Sequence, residues 1–383
     1  MSKSSSTTIS RNRAWSGRVL GQARHNGHAL GLLVLAVMVA VMFSALSPSI
    51  YATPLNVQSI AFAVPEIGLM ALAISIAMTT AGIDLSTVAV ANLAALTAAF
   101  VSLQGQEAGM STLVVSVVAV AAALAVGMLC GVLNAAVIAV IGVAPILATL
   151  ATQMLLAGLA VLLTEGRPIY GLTPELTAVG TGTFAAVPTV FWIFLLVIAT
   201  AAFIMRRTGY GLRATMIGAN AVASDYSGIN RSGVIFRTYM LTGTISAVAG
   251  LVMVMRTVSA APGYGSSYLL LAVTIAVLAG VNPFGGRVAV WGVALAAVVL
   301  QMISSGLNIL GYSAYIYQIV QGLILVGVMI LRVEGIRAVA LVHRARSGGA
   351  ADPVPPVIDR PYEEGHDAQS SSGAAYSSHT HQG

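Results

Sequence analysis

The sequence predicts an all-α, polytopic transmembrane bundle of about ten spans with both termini in the cytoplasm. Three observations carry this. Hydrophobic residues fill 57% of the 383 positions and charged residues only 8%, against about a quarter charged in soluble domains. The apolar residues fall in many runs near the ~20 residues that cross a bilayer core, where a backbone that must satisfy its own hydrogen bonds coils into helices. The alternating apolar and polar positions of a transmembrane β-barrel are missing from these runs.

Residues 1–28 form a polar, Ser- and Arg-rich cytoplasmic tail. Its length and the membrane protein that follows it point to an uncleaved first helix rather than a signal peptide. The spans then read as 29–46, 56–79, 85–103, 112–141, 144–163, 188–205, 238–256, 268–281, 288–305 and 314–331. The fourth is longer than one crossing needs and the eighth is shorter. The membrane domain thus covers 29–331. Residues 332–383 are read as a cytoplasmic tail, rich beyond Arg346 in Gly, Ser, Pro, His and acids, with too little apolar content to order itself.

Basic residues accumulate on the cytoplasmic side of membrane proteins. With the N-terminus inside, the segments 1–28, 206–237, 282–287 and 332–383 are cytoplasmic, and they hold 16 of the 18 Lys and Arg residues. Only Arg167 and Arg256 fall elsewhere.

Composition also excludes chemistries. The sole lysine is Lys3, so no phosphate-binding loop ending in Gly-Lys-Ser/Thr exists and the chain is no P-loop ATPase. All six histidines (His25, His28, His343, His366, His379, His381) lie in the tails. Cys130 stands alone in an apolar run, so neither a disulfide framework nor a CxxC metal site is available. No catalytic constellation, metal site or nucleic-acid surface is expected; the chain is read as a non-enzyme without a cofactor of its own.

The most informative loop is 206–237. It contains Gly209-Tyr210-Gly211-Leu212-Arg213-Ala214, Ile217-Gly218-Ala219-Asn220 and Ser227-Gly228-Ile229. Leu212, Met216, Ala219, Ala223 and Tyr226 recur at helical spacing and form one apolar stripe. The spacing predicts a short amphipathic helix at the inner membrane face, either docking a cytoplasmic partner or packing on the bundle. The residues assigned to it are Gly211, Arg213, Ala214, Gly218, Asn220, Gly228 and Ile229.

This loop resembles the coupling loop of binding-protein-dependent permeases, specifically the ribose/xylose branch of ABC importers. Ala81-Gly82-Ile83-Asp84-Leu85-Ser86, Gly131-Val132-Leu133-Asn134 followed by Pro145 and Ala148-Thr149-Leu150, Asn282-Pro283-Phe284-Gly285-Gly286-Arg287, and Ser305-Gly306-Leu307-Asn308-Ile309-Leu310 resemble further family motifs in the same order. The resemblance covers about 30–331. It implies a ten-helix permease in the bacterial cytoplasmic membrane, working with a second permease subunit, cytoplasmic ATPases that bind the ATP, and an external solute-binding protein. The family's Glu-Leu-Asp before the eighth helix is replaced here by Ser267-Tyr268-Leu269-Leu270-Leu271-Ala272, which leaves homodimer and heterodimer both open. The cargo it implies is a small polar solute, most simply a sugar; amino acids or nucleosides are the alternative within the superfamily, and ion-coupled transport the alternative outside it.

Pathway candidates follow from polarity. Glu66 and Asp84 lie within or at the edge of spans, where a charge facing lipid costs at least about 2.5–3.5 kcal/mol. Asp84 reads as a cap for the next helix or as a solute contact. Glu66, after the helix-disrupting Pro65, reads as pathway lining or outer-interface residue. Asn134, Thr149, Gln153 and Asn308, with Asn92, Thr152, Gln301 and Gln318, supply neutral donors and acceptors of the kind a sugar uses; the other reading is interhelical hydrogen bonding. Gly127-Met128-Leu129-Cys130-Gly131 reads as a close helix contact. The loops 164–187 and 257–267 face the side from which solute arrives. A faint echo links Ala81-Gly82-Ile83-Asp84 and Val88-Ala89-Val90 to Ala279-Gly280-Val281-Asn282 and Val288-Ala289-Val290, as duplicated transporter halves or chance similarity between apolar Gly/Ala-rich stretches would produce.

Overall fold

The computed structural model describes the backbone of residues 30–346 and the side chains of 30–330. The tail 1–28, residues 347–383 and five of the six histidines lie outside the described residues. The chain divides into two units, 1–331 and 332–383, and the first is described below.

In order, the helices are α1 (Leu30–Leu46), α2 (Pro54–Met78), α3 (Thr87–Glu107), α4 (Thr112–Ala136) with a π-helical extension Val137–Ile141, α5 (Pro145–Thr164), α6 (Pro174–Thr181), α7 (Thr189–Arg207), α8 (Gly209–Ala219), α9 (Ala221–Tyr226), α10 (Arg231–Thr257), α11 (Tyr268–Leu278), α12 (Val290–Ile309) and α13 (Ala314–Arg346). Among the described residues, seven are long and apolar enough to cross a membrane: α2, α3, α4 with its extension, α5, α7, α10 and α12. Three shorter apolar helices, α1, α11 and the Ala314–Ile330 part of α13, complete the run of predicted spans.

Local chemistry sets the boundaries. Thr53 accepts the Asn56 N–H, and Pro54 takes the first helical position of α2, where its missing donor costs nothing. Pro65 does not end α2, which continues through it to Met78. Gly142, at φ +88°, stops the π-helical turn before Pro145 opens α5. The last predicted span, 314–331, matches the apolar Ala314–Ile330 part of α13, whose helix runs on to Arg346. One boundary needs correction. The last helix before the 257–267 loop begins at Arg231 rather than 238, since Asn230 caps it by accepting the Gly233 N–H.

The core forms around α2, whose residues from Leu69 to Met78 are all buried. It touches α7, α10, α11 and α12. The other buried axis is α10, which packs most extensively on α4 and then on α3. Glycine makes the α4–α10 crossing close. A side chain on Gly127 would collide with Ala247 and the Gly243 carbonyl, and one on Gly131 would lie 2.5 Å from the Tyr239 carbonyl oxygen. The Gly127/Gly131 pair therefore does what small residues do between membrane helices. By contrast, α5 is exposed along most of its length.

Connections between helices also pair with one another. The strand β1 (Ile169–Tyr170) pairs antiparallel with β4 (Ser259–Ala260), tying the α5–α7 connection to the α10–α11 connection. A tight hairpin joins β2 (Thr183–Phe184) to β3 (Val187–Pro188).

Because no space exists beside Gly131, Gly131→Val should destabilise the protein by about 1–3 kcal/mol, the usual cost of overpacking. Chemical or thermal unfolding in detergent should show it. Gly158→Val, at a position with nothing within 4 Å, serves as the matched control and should change little.

Candidate functional site

The polar groups gather in three places. The first is the connection between α2 and α3. Here Asp84 is buried (1% exposed). Its Oδ1 accepts the Ser86 N–H (3.1 Å) and the Ser86 hydroxyl (2.6 Å), and its Oδ2 accepts the Thr242 hydroxyl from α10 (2.8 Å). The Asn134 amide of α4 donates to Ser86 Oγ (2.7 Å). Thr149 on α5 shares its hydroxyl proton between Ile83 O (3.1 Å) and Pro145 O (2.9 Å). Three helices, α4, α5 and α10, are thus linked to one stretch of chain. Both readings of Asp84 are refined: it accepts a single backbone N–H, and the helix itself starts after Ser86, at Thr87. Its remaining lone pairs serve the interhelical network.

The second place is an ion pair. Arg256, in the last turn of α10, lies 3.4 Å from Glu66 Oε2. Glu66 is buried in the middle of α2 (1% exposed). Tyr268, the first residue of α11, is close enough to interact with the same carboxylate. Nearby, Asn92 on α3 holds the segment before α11: its amide donates to Ala261 O (2.8 Å) and Tyr264 O (3.3 Å), and its Oδ1 faces the Gly263 N–H (3.4 Å). The remaining candidates separate. Thr149 and Asn134 are buried in the network, Gln153 is half-buried with its carbonyl oxygen enclosed and unbonded, and Asn308 is exposed on the last turn of α12.

The third place is the segment between α7 and α10. The single predicted amphipathic helix is two helices, α8 and α9. Asn220, extended at φ −162°, breaks the run, and its side chain caps α9 by accepting the Ala223 N–H (3.0 Å). Thr208 caps α8 in the same way from Gly211. The predicted apolar stripe faces outward: Leu212, Met216, Ala219, Ala223 and Tyr226 are all exposed, Tyr226 at 90%. The face that packs is the other one, built from Gly211, Ala214 and Ile217. Tyr210 fastens α8 to α10 through Thr238 (2.8 Å), and burial pushes its hydroxyl pKa up to about 12, so it remains a neutral donor.

Gly218 is the closest contact of this segment. Any side chain there would collide with the Thr79 carbonyl at the end of α2 and would lie 2.6 Å from the Gly286 nitrogen and 3.0 Å from the Gly285 Cα. Gly286 in turn donates to Thr79 O (3.2 Å). Gly285 and Gly286 hold φ values of +104° and +117°, open to glycine and strained for other residues. Of the other residues assigned to this loop, Arg213 and Asn220 are exposed, Gly228 turns the chain at φ +73°, and Ile229 packs against the core.

Sequence reasoning missed Thr242, Ser86, Arg256 and the Gly285-Gly286 turn as partners. Arg256 carried a signal, being one of two basic residues on the wrong side of the charge partition. Among the described residues, no group of three or more His, Cys, Asp and Glu side chains is placed to hold a metal.

Removing the Asp84 carboxylate strands the Ser86 and Thr242 donors, at about 1–3 kcal/mol for each buried group left unpaired. Asp84→Ala should therefore lower unfolding stability clearly, whereas Asp84→Asn, which keeps the shape and one acceptor, should lose less. Equal losses would show that the formal charge, not the hydrogen bonding, is what matters.

Residues 56–329 match the family described as branched-chain amino acid transport system / permease component. Over 299 residues the chain is 34% identical to the ribose import permease protein RbsC of Escherichia coli (strain K12), covering 77% of this chain and 90% of that protein. It is 31% identical to RbsC of Bacillus subtilis (strain 168), over 80% of this chain and 91% of that one. It is likewise 31% identical to the autoinducer 2 import system permease protein LsrD of Photorhabdus laumondii, over 72% and 81%. No solved structure matches.

Proposed function

The chain belongs to the branched-chain amino acid transport system / permease component family, and from that premise we propose that it is the membrane-spanning permease of an ABC importer for a sugar. It is a multi-pass protein of the bacterial cytoplasmic membrane. The likeness to ribose import permeases over nine-tenths of their length supports the choice of a sugar over an amino acid. The observation that carries the mechanism is the outward-facing apolar stripe of α8 and α9, seated on the bundle by Gly218.

Ten helices cross, with both termini inside. Contacts that the charge count did not use support this arrangement. Thr79, Gly218 and Gly285–Gly286, all assigned to the cytoplasmic side, meet one another. Ile169–Tyr170 and Ser259–Ala260, assigned to the outside, pair with one another. At 11 residues, α11 is only about 16 Å long. The segment before it completes the crossing, and its backbone is satisfied by its own turns and by Asn92.

Leu212, Met216, Val222 and Tyr226 form the surface that a cytoplasmic ATPase grips, with Arg213 and Asn220 beside them. ATP binding and hydrolysis occur on that partner. Movement of α8 passes through Gly218 to the end of α2 and to the 282–287 turn, and through Tyr210 and Thr238 to α10. The paired outer loops 164–187 and 257–267 receive the solute-binding protein. A second permease subunit completes the pathway, and the exposed face of α5, with Gln153, lies where a shared passage can form.

Among the described residues, the two acids within the spans that an ion-coupled mechanism would draw on are both engaged: Glu66 Oε2 lies beside Arg256, and Asp84 accepts from Ser86 and Thr242.

Leu212→Glu combined with Met216→Glu changes exposed residues, so the bundle should fold as before while co-purification of the ATPase falls at least tenfold. Pull-down with tagged permease measures it. Undiminished recovery of the ATPase, with normal solute uptake, would refute the docking assignment.

A further inference from the structure

The hairpin of β2 and β3 carries the wrong residues for its turn. Thr183 pairs with Pro188 and Phe184 with Val187, which leaves Ala185 and Ala186 as the two turn residues, left-handed at φ +52° and +63°. Hairpin turns with two left-handed residues are ordinarily built from pairs such as Asn-Gly, because a Cβ strains that conformation. Here two small apolar residues take both strained positions, and both are exposed. Phe184 is 70% exposed and meets Trp192 edge-on, with ring centroids 6.5 Å apart. The Trp192 indole N–H donates to Phe184 O (3.3 Å), and the Gln58 amide of α2 donates to Ala186 O (2.9 Å). Leu55, one turn before Gln58, is exposed as well. No charged residue occurs from Ser47 to Pro65 or from Leu176 to Met205.

The length of α7 sets the level at which this hairpin lies. Its 19 residues extend about 28 Å at 1.5 Å each, against about 30 Å for the bilayer core. With Arg206 and Arg207 at one membrane surface, the first turn of α7 and the hairpin beside it reach only the opposite boundary. Trp192, Leu196 and Phe203 are exposed at i, i+4 and i+11, a single face of the helix. On the same side the Thr200 hydroxyl donates to Leu196 O (2.8 Å), so no free donor is turned to lipid there. The Phe184 ring, packed on Trp192, continues this face toward the hairpin.

We propose that the Thr183–Pro188 hairpin is a membrane anchor, lying in the headgroup–acyl boundary with Phe184 and Trp192 turned to lipid. Aromatic side chains concentrate at that level of a bilayer, and the Trp192 N–H is already satisfied by the hairpin, which frees the ring for apolar contact. The alanine turn then has a reason. Asn or Gly would suit the backbone but would bring an amide or bare peptide groups to a place short of water, and strain is kept where the surroundings favour it. A soluble partner is a poorer occupant, because the charges at this end stand elsewhere, at Glu107, Glu165 and Arg167. The anchor leaves 164–182 as the part of that loop available to a solute-binding protein. Through Gln58 and Trp192 it also fixes the level at which α2 and α7 enter the membrane.

The test uses the full chain in phospholipid vesicles, carrying Cys130→Ala and one nitroxide label at Ala185→Cys, Leu196→Cys or Arg167→Cys. Electron paramagnetic resonance reads how often each label collides with oxygen, which concentrates among acyl chains, and with a water-soluble nickel chelate. The ratio of oxygen to nickel collisions at 185 should exceed that at 167 at least threefold and fall below that at 196. Adding Phe184→Asp, which changes an exposed side chain, should return the 185 label to the ratio found at 167. A label at 185 as open to nickel as the one at 167 would overturn the proposal. So would shielding of 185 from both probes, which marks a contact with a second copy of the chain, or an oxygen preference that Phe184→Asp leaves unchanged. The readout involves neither the ATPase nor the solute, so failure here leaves the transport reading standing.

Discussion

The account depends on a place where no side chain fits. Gly218 brings the backbone of α8 directly onto the Thr79 carbonyl and the Gly285-Gly286 turn. Backbone against backbone is the stiffest joint that a protein offers, because there are no rotamers to absorb a displacement. A helix that sits on two other segments in this way cannot shift without moving them. That is what a coupling element between an external motor and a membrane bundle requires.

A second constraint follows from the solvent. Charges inside a bilayer protein are rarely left bare: Glu66 has a cationic partner, and Asp84 has neutral hydrogen-bond donors. Glu66 joins α2 to α10 through Arg256, while Asp84 holds an extended connection against α10 and, through Ser86, against α4. Their burial places them inside the subunit, where their contacts join helices to one another.

Most of the architecture was legible because hydropathy in a membrane protein is a nearly direct record of helix position. The ten apolar runs reappear as ten apolar helices, including the long fourth and the short eighth. The GxxxG at Gly127 and Gly131 was readable for the same reason: only small residues let helices approach. The functional loop was legible in kind and not in orientation. Its stripe of Leu212, Met216 and Tyr226 has the spacing of a buried face, yet it points outward. Periodicity reports which residues share a face and cannot report whether that face packs on the bundle. The break at Asn220 was hidden because asparagine serves both as cap and as ordinary polar residue. The partners of Asp84 were hidden for another reason. Thr242 lies 158 positions away, and an interhelical hydrogen bond leaves no local pattern.

Under the proposed function these elements would form one path: an exposed apolar face on α8 and α9, the Gly218 contact beneath it, and polar ties from the contacted segments into the bundle. The most direct measurement is the ratio of solute taken up to ATP hydrolysed in proteoliposomes containing the assembled transporter with Gly218→Val. The account predicts that the ATPase still assembles and hydrolyses ATP while uptake per ATP falls at least tenfold. A wild-type ratio in that variant, with the bundle intact, would contradict it.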